Sequence, residues 1–128
     1  MERDRIIITG GLGFIGSALA NFLLQRFDIT IIDNKSRNVT NEDSFSSESG
    51  KVEYKNLDLA QLSDDDKSWL ESKVSNSSHF FHFAATVGVK KLDLSPEESI
   101  IREYQANMNI LPILAKYPIK LFFASTSE

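Results

Sequence analysis

A glycine-rich segment, "TGGLGFIG" at residues 9–16, constrains the fold of this chain more than any other feature of its sequence. It follows a short β-branched run, Arg5–Thr9, that predicts a buried strand, and it leads into a helical pattern over Phe14–Phe27. A second predicted strand, Asp28–Asp33, comes next and ends in a carboxylate. This order predicts a right-handed β-α-β unit, in which the helix begins close to the end of a parallel strand.

The spacing of the glycines predicts a phosphate site. Gly11, Gly13 and Gly16 fit Gly-x-Gly-x-x-Gly, and the triplet that begins at Gly10 fits Gly-x-x-Gly-x-x-Gly. Free N–H groups and the helix dipole favour a pyrophosphate at the start of the helix. One glycine makes the tight turn, a second lets the backbone approach the phosphates, and a third lets the helix pack on the sheet. The residues predicted to contact a dinucleotide here are Gly10, Gly13, Phe14, Ile15 and Gly16. A glycine-rich turn without a ligand is the alternative.

The carboxylate of Asp33 is predicted to accept hydrogen bonds from the adenosine ribose, with Asn34 beside it. Its negative charge repels a 2′-phosphate, so NAD is expected as the cofactor rather than NADP. Lys35 and Arg37 lie nearby and weaken that preference. The polar stretch 34–51 is predicted to be a loop near the adenosine.

The remaining apolar runs extend the same alternation of strands and helices. Further strands are predicted at Val52–Lys55, His79–Ala85 and Ile119–Ser125, and helices are predicted to begin at Ser63 and Ser95. The pattern predicts one α/β domain over residues 1–128, a Rossmann-type doubly wound parallel sheet of strand order 3-2-1-4-5 with helices on both faces. A kink or break is expected near Pro112. His79 and His82 are predicted to share one strand face and to serve packing or hydrogen bonding rather than metal binding.

Composition excludes several classes of function. A net charge of −4 over 128 residues argues against a nucleic-acid partner or an anionic membrane surface. No apolar run approaches the roughly 20 residues of a membrane span, and no secretory signal is recognisable. The chain has no cysteine, which fits a cytoplasmic location.

Five segments together resemble the extended short-chain dehydrogenase/reductases, in particular the nucleotide-sugar epimerases, dehydratases and decarboxylases. They are "TGGLGFIG" at 9–16, "DN" at 33–34, "DL" at 58–59, "HFAATVGV" at 82–89 and "ASTSE" at 124–128. The resemblance covers the whole chain but only the N-terminal part of such an enzyme. It implies that Asp58 and Leu59 lie beside the adenine, the carboxylate accepting from the exocyclic amine. The residues it places under the ribose and nicotinamide are Ala84, Ala85 and Thr86.

The same resemblance implies the catalytic groups. Asn107 is similar to an asparagine that braces the active-site strands, although Asn109 is close by. A hydroxyl at Thr126 would bind the 4-hydroxyl of a nucleotide-sugar, and a carboxylate at Glu128 would take part in proton transfer at C5 or in decarboxylation. Hydride then passes from C4 of the sugar to NAD, with the proton taken by a tyrosine of a Tyr-x-x-x-Lys motif. No such motif follows the fifth strand here, so these residues alone are expected to bind NAD without turnover.

Two other functions stay open on the sequence. A stand-alone dinucleotide-binding module would bind NAD to sense it or to regulate a partner. A degenerate remnant would survive as an interaction domain. The apolar "KLFFA" at 120–124 is expected to form a sheet edge that pairs with another copy of the chain or aggregates.

Overall fold

The computed structural model of the chain describes residues 3–35, 39–41, 45, 50–84 and 96–124. Strands and helices alternate along the described part in the predicted order. The elements are β1 (Arg5–Thr9), α1 (Phe14–Leu23), β2 (Asp28–Ile32), β3 (Val52–Lys55), α2 (Asp64–Ser75), β4 (His79–His82), α3 (Pro96–Leu114) and β5 (Lys120–Phe123). The predicted ends of the fourth and fifth strands, Ala85 and Ser125, lie outside the described residues.

All five strands form one sheet in the order β3-β2-β1-β4-β5, and every neighbouring pair is parallel. The predicted fold class and strand order are therefore confirmed. The strand order reverses between β1 and β4. The chain first adds β2 and β3 on one side of β1, and it then crosses to add β4 and β5 on the other side. Ligands of open α/β sheets bind at such a reversal, beside the carboxyl ends of the strands.

The central strands β1 and β2 are buried on both faces, as the doubly wound prediction requires. One face packs on α1 through alternate residues of the central strands, including Ile6, Ile8 and Ile31. The opposite face packs on α2 and α3, with Ile7 and Phe80 at its centre. Because successive strand residues point to opposite faces, the unbroken apolar runs of β1 and β2 serve both cores.

Helix α1 turns a different side to the sheet from the one that its largest apolar residues predict. Ile15 and Phe22 recur at helical spacing with Leu19 and Leu23, which pack against the core, yet Ile15 and Phe22 are 63% and 73% exposed. The buried residues of α1 are Gly16 and Ala20. Small residues face the sheet because the glycine segment brings the helix too close to β1 for large side chains.

Helix α3 runs without a break from Pro96 to Leu114, so of the kink or break expected near Pro112, the break does not occur. Pro112 lies in the last turn, where the only hydrogen bond it removes is the one to the carbonyl of Met108. The buried apolar residues of α3 are Ile110, Ile113 and Leu114. A second apolar stripe faces outward, comprising Ile100, Ile101, Tyr104, Met108 and Leu111. Within the described part of the chain, no helix is long and apolar enough to cross a bilayer.

Candidate functional site

The glycine segment forms a tight turn between β1 and α1. Gly10 has a left-handed backbone, with φ at 69°, and its carbonyl accepts the N–H of Gly13 at 3.0 Å. A Cβ on Gly10 would lie 2.9 Å from the backbone nitrogen of Ala84, and one on Gly16 would overlap the carbonyl oxygen of Gly10. These two glycines are therefore required by the fold itself, one by its turn and by contact with the chain after β4, the other by helix packing.

The start of α1 is open to an anion. Gly13 is the N-cap residue and has no side chain to satisfy the N–H groups of the first turn. Those groups have no intrahelical partner and carry the positive end of the helix dipole. Phe14 and Ile15 are 81% and 63% exposed, so the surface around these amides is accessible. The geometry fits a phosphate group at the predicted position.

Asp33 links the glycine segment to the end of β2. Its Oδ2 accepts the N–H of Leu12 at 3.0 Å, and its Oδ1 accepts the N–H of Lys35 at 2.7 Å. The residue is only 9% exposed. Each oxygen of a carboxylate has room for a second donor, so the group is oriented by the backbone and can still accept hydroxyls. Asn34, next in the chain, is exposed beside it.

The cation nearest in sequence to this carboxylate stacks on an aromatic ring. The ammonium of Lys35 lies 5.1 Å from the centre of the Tyr54 ring, within cation–π range. The hydroxyl of Tyr54 in turn donates to the carbonyl of Asp33 at 3.0 Å. Arg37, the other nearby cation of the sequence, lies outside the described residues.

Asp58 and Leu59 lie after β3 and are held by α3. One oxygen of Asp58 accepts the N–H of Ala60 at 3.0 Å, and the other pairs with Arg102 at 2.6 Å. Leu59 is buried, and its carbonyl accepts the Asn109 side chain at 2.8 Å. The two α3 residues thus orient the pair that was predicted to lie beside an adenine.

The end of β4 is tied to the end of β1 by a buried threonine and a buried histidine. The hydroxyl oxygen of Thr9 lies 2.7 Å from Nδ1 of His82 and 3.1 Å from the backbone nitrogens of both Phe83 and Ala84. His82 and His79 are three residues apart and face opposite sides of the sheet, so the prediction of a shared face is wrong. His82 lies on the α3 side, close to Asn107.

Residues 6–128 match the model of the NAD dependent epimerase/dehydratase family. The chain belongs to this family. It is 35% identical, over 132 residues, to a UDP-N-acetyl-alpha-D-glucosaminuronate decarboxylase of Bacillus cytotoxicus, covering 98% of this chain and 37% of that protein. It is 30% identical to a UDP-glucose 4-epimerase of Mycoplasma pneumoniae over 98% of this chain and 36% of that protein.

A similar fold occurs in a UDP-N-acetylglucosamine 4-epimerase of Methanobrevibacter ruminantium, with a TM-score of 0.76 and 26% identity over 99% of this chain and 39% of that one. The family member described here therefore spans little more than a third of the length of these relatives. The predicted family and the predicted correspondence to an N-terminal part are both confirmed.

The structure gathers most of the predicted cofactor residues at the carboxyl edge of the sheet. Four predicted site residues lie outside the described part of the chain, namely Ala85, Thr86, Thr126 and Glu128. Three residues at this edge were not predicted, namely Thr9, His82 as a partner of Thr9, and Arg102. Sequence reasoning missed them because the contacts Thr9–His82 and Arg102–Asp58 join residues 73 and 44 positions apart.

The stability of the fold is expected to depend on pH through His82. Burial lowers the pKa of this imidazole from 6.5 to about 4, an effect that Asn107 partly opposes. Between these two values the unfolded chain binds more protons than the folded one, so stability is complete above the unfolded value and falls as pH falls. From about pH 7 to pH 5 the free energy of unfolding should drop by about 2 kcal/mol through this group alone.

Urea unfolding of the wild type and of His82→Gln at both pH values measures this difference. Carboxylates contribute equally to both proteins and cancel in the comparison. Equal pH dependence in the two proteins would show that His82 is not the group responsible.

Proposed function

We propose that this chain is the NAD-binding part of a nucleotide-sugar epimerase, dehydratase or decarboxylase. The observation that carries the proposal is the junction of the glycine segment with Asp33. There the open start of α1 and a backbone-oriented carboxylate lie at the same edge of the sheet. A pyrophosphate needs the first feature and a ribose needs the second.

Each group would make a distinct contact with the dinucleotide. The amides after Gly13 would bind the pyrophosphate, Asp33 would accept the adenosine ribose hydroxyls, and Asp58 would accept the exocyclic amine of the adenine. Because Asp33 is charged and almost buried, a 2′-phosphate in its place would be repelled, which favours NAD over NADP. The bound nicotinamide would accept hydride from C4 of the sugar.

The substrate and the catalytic step are proposed for the whole protein, since this chain spans only part of the length of its relatives. Its relatives bear the names of enzymes that act on UDP-sugars. The assignment of Thr126 to the sugar hydroxyl and of Glu128 to proton transfer stays a prediction, as do the roles of Ala85 and Thr86. So does a cytoplasmic location.

Calorimetric titration of the folded chain with NAD, NADP and ADP-ribose tests the cofactor proposal. We expect heat with NAD and with ADP-ribose and a weaker affinity for NADP. The absence of heat up to about 1 mM NAD would overturn the proposal, because even a dissociation constant of about 1 mM corresponds to a binding free energy of only about 4 kcal/mol. Incubation with UDP-, dTDP- or GDP-sugars is expected to yield no 4-keto product from these residues alone.

Asp58→Asn is expected to reduce discrimination between adenine and hypoxanthine. The wild-type carboxylate can only accept, so it favours the amine of NAD over the carbonyl of nicotinamide hypoxanthine dinucleotide. The amide of the variant can donate to that carbonyl. We expect the ratio of the two affinities to fall by about tenfold, which corresponds to about 1.4 kcal/mol of binding free energy. An unchanged ratio by calorimetry would place the adenine elsewhere.

The outer edge of β5 carries a further prediction about partners. This strand forms one edge of the described sheet, and Leu121, Phe122 and Phe123 are 38%, 47% and 50% exposed. An apolar edge is a template for pairing with another strand. Sedimentation equilibrium over a range of concentrations would detect the self-association expected of these residues, and a strictly monomeric species would contradict it.

A further inference from the structure

The hydrogen bonds at Thr9 leave only one choice for its proton. The hydroxyl oxygen is 3.1 Å from each of two amide nitrogens, those of Phe83 and Ala84, and amides can only donate. A hydroxyl has two lone pairs and one proton, so both lone pairs are taken. Its third neighbour is Nδ1 of His82 at 2.7 Å. Among the described residues, Nδ1 of His82 is the acceptor within reach of this fully buried hydroxyl, so the Thr9 hydroxyl donates to His82.

The direction of that bond determines the state of the imidazole. An Nδ1 that accepts a hydrogen bond carries no proton, so His82 is neutral and its proton is on Nε2. Burial supports the neutral form, since the residue is 3% exposed and burial lowers its pKa to about 4. Around the ring lie Thr9 from β1, Phe80 from β4, Phe123 from β5 and Asn107 from α3, all uncharged.

The Nε2–H group needs an acceptor on the α3 side of the ring. Asn107 is the neighbour that raises the pKa of His82, as an acceptor near the imidazole does. Its Oδ1 is buried and makes no hydrogen bond of acceptable geometry in the described part of the chain. This unpaired oxygen is the candidate acceptor for Nε2–H.

We propose that His82, as the Nε2–H tautomer, is a positioning residue of the dinucleotide site and acts through Thr9. By accepting the hydroxyl proton, it turns both lone pairs of Thr9 toward the amides of Phe83 and Ala84. This holds the chain after β4 against the glycine segment, where a Cβ on Gly10 would lie 2.9 Å from the nitrogen of Ala84. The role toward a dinucleotide rests on the proposed function, whereas the tautomer does not.

Protonation of His82 would release part of this arrangement. A proton on Nδ1 makes three donors converge on one hydroxyl oxygen that has two lone pairs. The amide of Phe83 has a second acceptor, the carbonyl of Thr9 at 3.1 Å, so it is the donor released from the hydroxyl, and the amide of Ala84 keeps the remaining lone pair. The Thr9 hydroxyl would then hold the chain after β4 through one amide instead of two, and the affinity for the dinucleotide would fall.

Nitrogen NMR of the imidazole of His82 tests the tautomer directly. At neutral pH we expect Nδ1 to resonate as an unprotonated nitrogen and Nε2 as a protonated one, with or without NAD. The opposite pattern, or a ring protonated on both nitrogens, would overturn the inference. Thr9→Ser should preserve this pattern, and Thr9→Val should lose the preference for Nε2–H because Nδ1 has no donor.

The positioning role is tested by making His82 titrate in an accessible range. Asn107→Asp places a carboxylate beside Nε2, which favours the imidazolium and should raise the pKa of His82. In this variant the affinity for NAD should fall by about threefold to tenfold between about pH 7.5 and pH 5.5. A change of this size corresponds to the net contribution of one hydrogen bond. The wild type should stay constant over that range. His79→Gln, on the other face of β4, should behave as the wild type.

The outcomes separate the two proposals. If the wild type binds no NAD, the proposed function fails, while the NMR pattern still decides the tautomer. The positioning role fails under a different set of results. If the wild type binds NAD and His82 titrates in Asn107→Asp, an NAD affinity of this variant that does not change with pH would show that His82 has no positioning role. Should Asn107→Asp not fold, NAD affinity that is equal in Thr9→Ser and Thr9→Val would lead to the same conclusion.

Discussion

Replacing Gly16 with alanine is expected to destabilise this fold by about 3 kcal/mol and to abolish measurable binding of NAD. The new Cβ would overlap the carbonyl oxygen of Gly10 and would lie 3.0 Å from the Cα of Gly11. Both atoms belong to the backbone, so no side-chain rotation relieves the overlap. Either the turn or α1 must move, and the amides at the start of the helix move with it.

Gly13→Ala is the matched control in the same turn. A Cβ there would have the carbonyl oxygen of Gly10 as its nearest neighbour, at 3.3 Å, and the backbone φ of −78° suits any residue. Urea unfolding should show a loss of about 1 kcal/mol or less, as for alanine at an N-cap. NAD affinity should still fall, because the methyl group occupies space where the phosphates approach. Equal destabilisation by the two substitutions would contradict the packing role assigned to Gly16.

Asp33→Asn is expected to lower NAD affinity by about tenfold to a hundredfold, because hydrogen bonds to a charged acceptor are worth about 1.5–3 kcal/mol. The variant keeps the shape of the side chain but has one acceptor oxygen in place of two. Its NH₂ group would face the N–H of either Leu12 or Lys35, which both donate to the present carboxylate. Removal of the charge should also lower the ratio of NAD to NADP affinity.

Asp28→Asn provides a control for the change in charge. Asp28 begins the same strand at the opposite edge of the sheet, where it accepts the N–H of Lys51 at 2.9 Å and pairs with Arg3. This variant should lose some stability and retain its NAD affinity and its cofactor preference. Calorimetry with both dinucleotides on both variants gives the comparison. A loss of affinity as large in Asp28→Asn as in Asp33→Asn would show that net charge, not position, is responsible.

The glycine segment and Asp33 could be predicted because each depends on a short stretch of chain with a defined conformation. A tight turn between a strand and a helix requires glycine wherever the chain approaches itself closely, and the required positions are close in sequence. The face of α1 could not be predicted in the same way. Periodicity marks Ile15 and Phe22 as apolar, but only the distance of the helix from the sheet excludes them in favour of Gly16 and Ala20.

The partners of the site residues depend on where distant elements cross. Nothing local in the sequence relates Asp58 to Arg102, since their contact exists only because α3 passes beside the loop after β3. Pro112 is a further case. Its effect on a helix depends on whether the turn that it disrupts lies inside the helix or at its end, and here it lies in the last turn.

Three features could be predicted without the structure: the order of strands and helices, the turn at the glycine segment, and the carboxylate at the end of β2. These follow from side-chain periodicity and backbone freedom, which are local properties. The buried side of each helix and the hydrogen-bond partners at the carboxyl edge of the sheet depend instead on how elements distant in the sequence pack together. The state of His82 belongs to this second group. Its proton is assigned by the lone pairs of Thr9, which are already occupied by amides that follow 74 and 75 residues later in the chain.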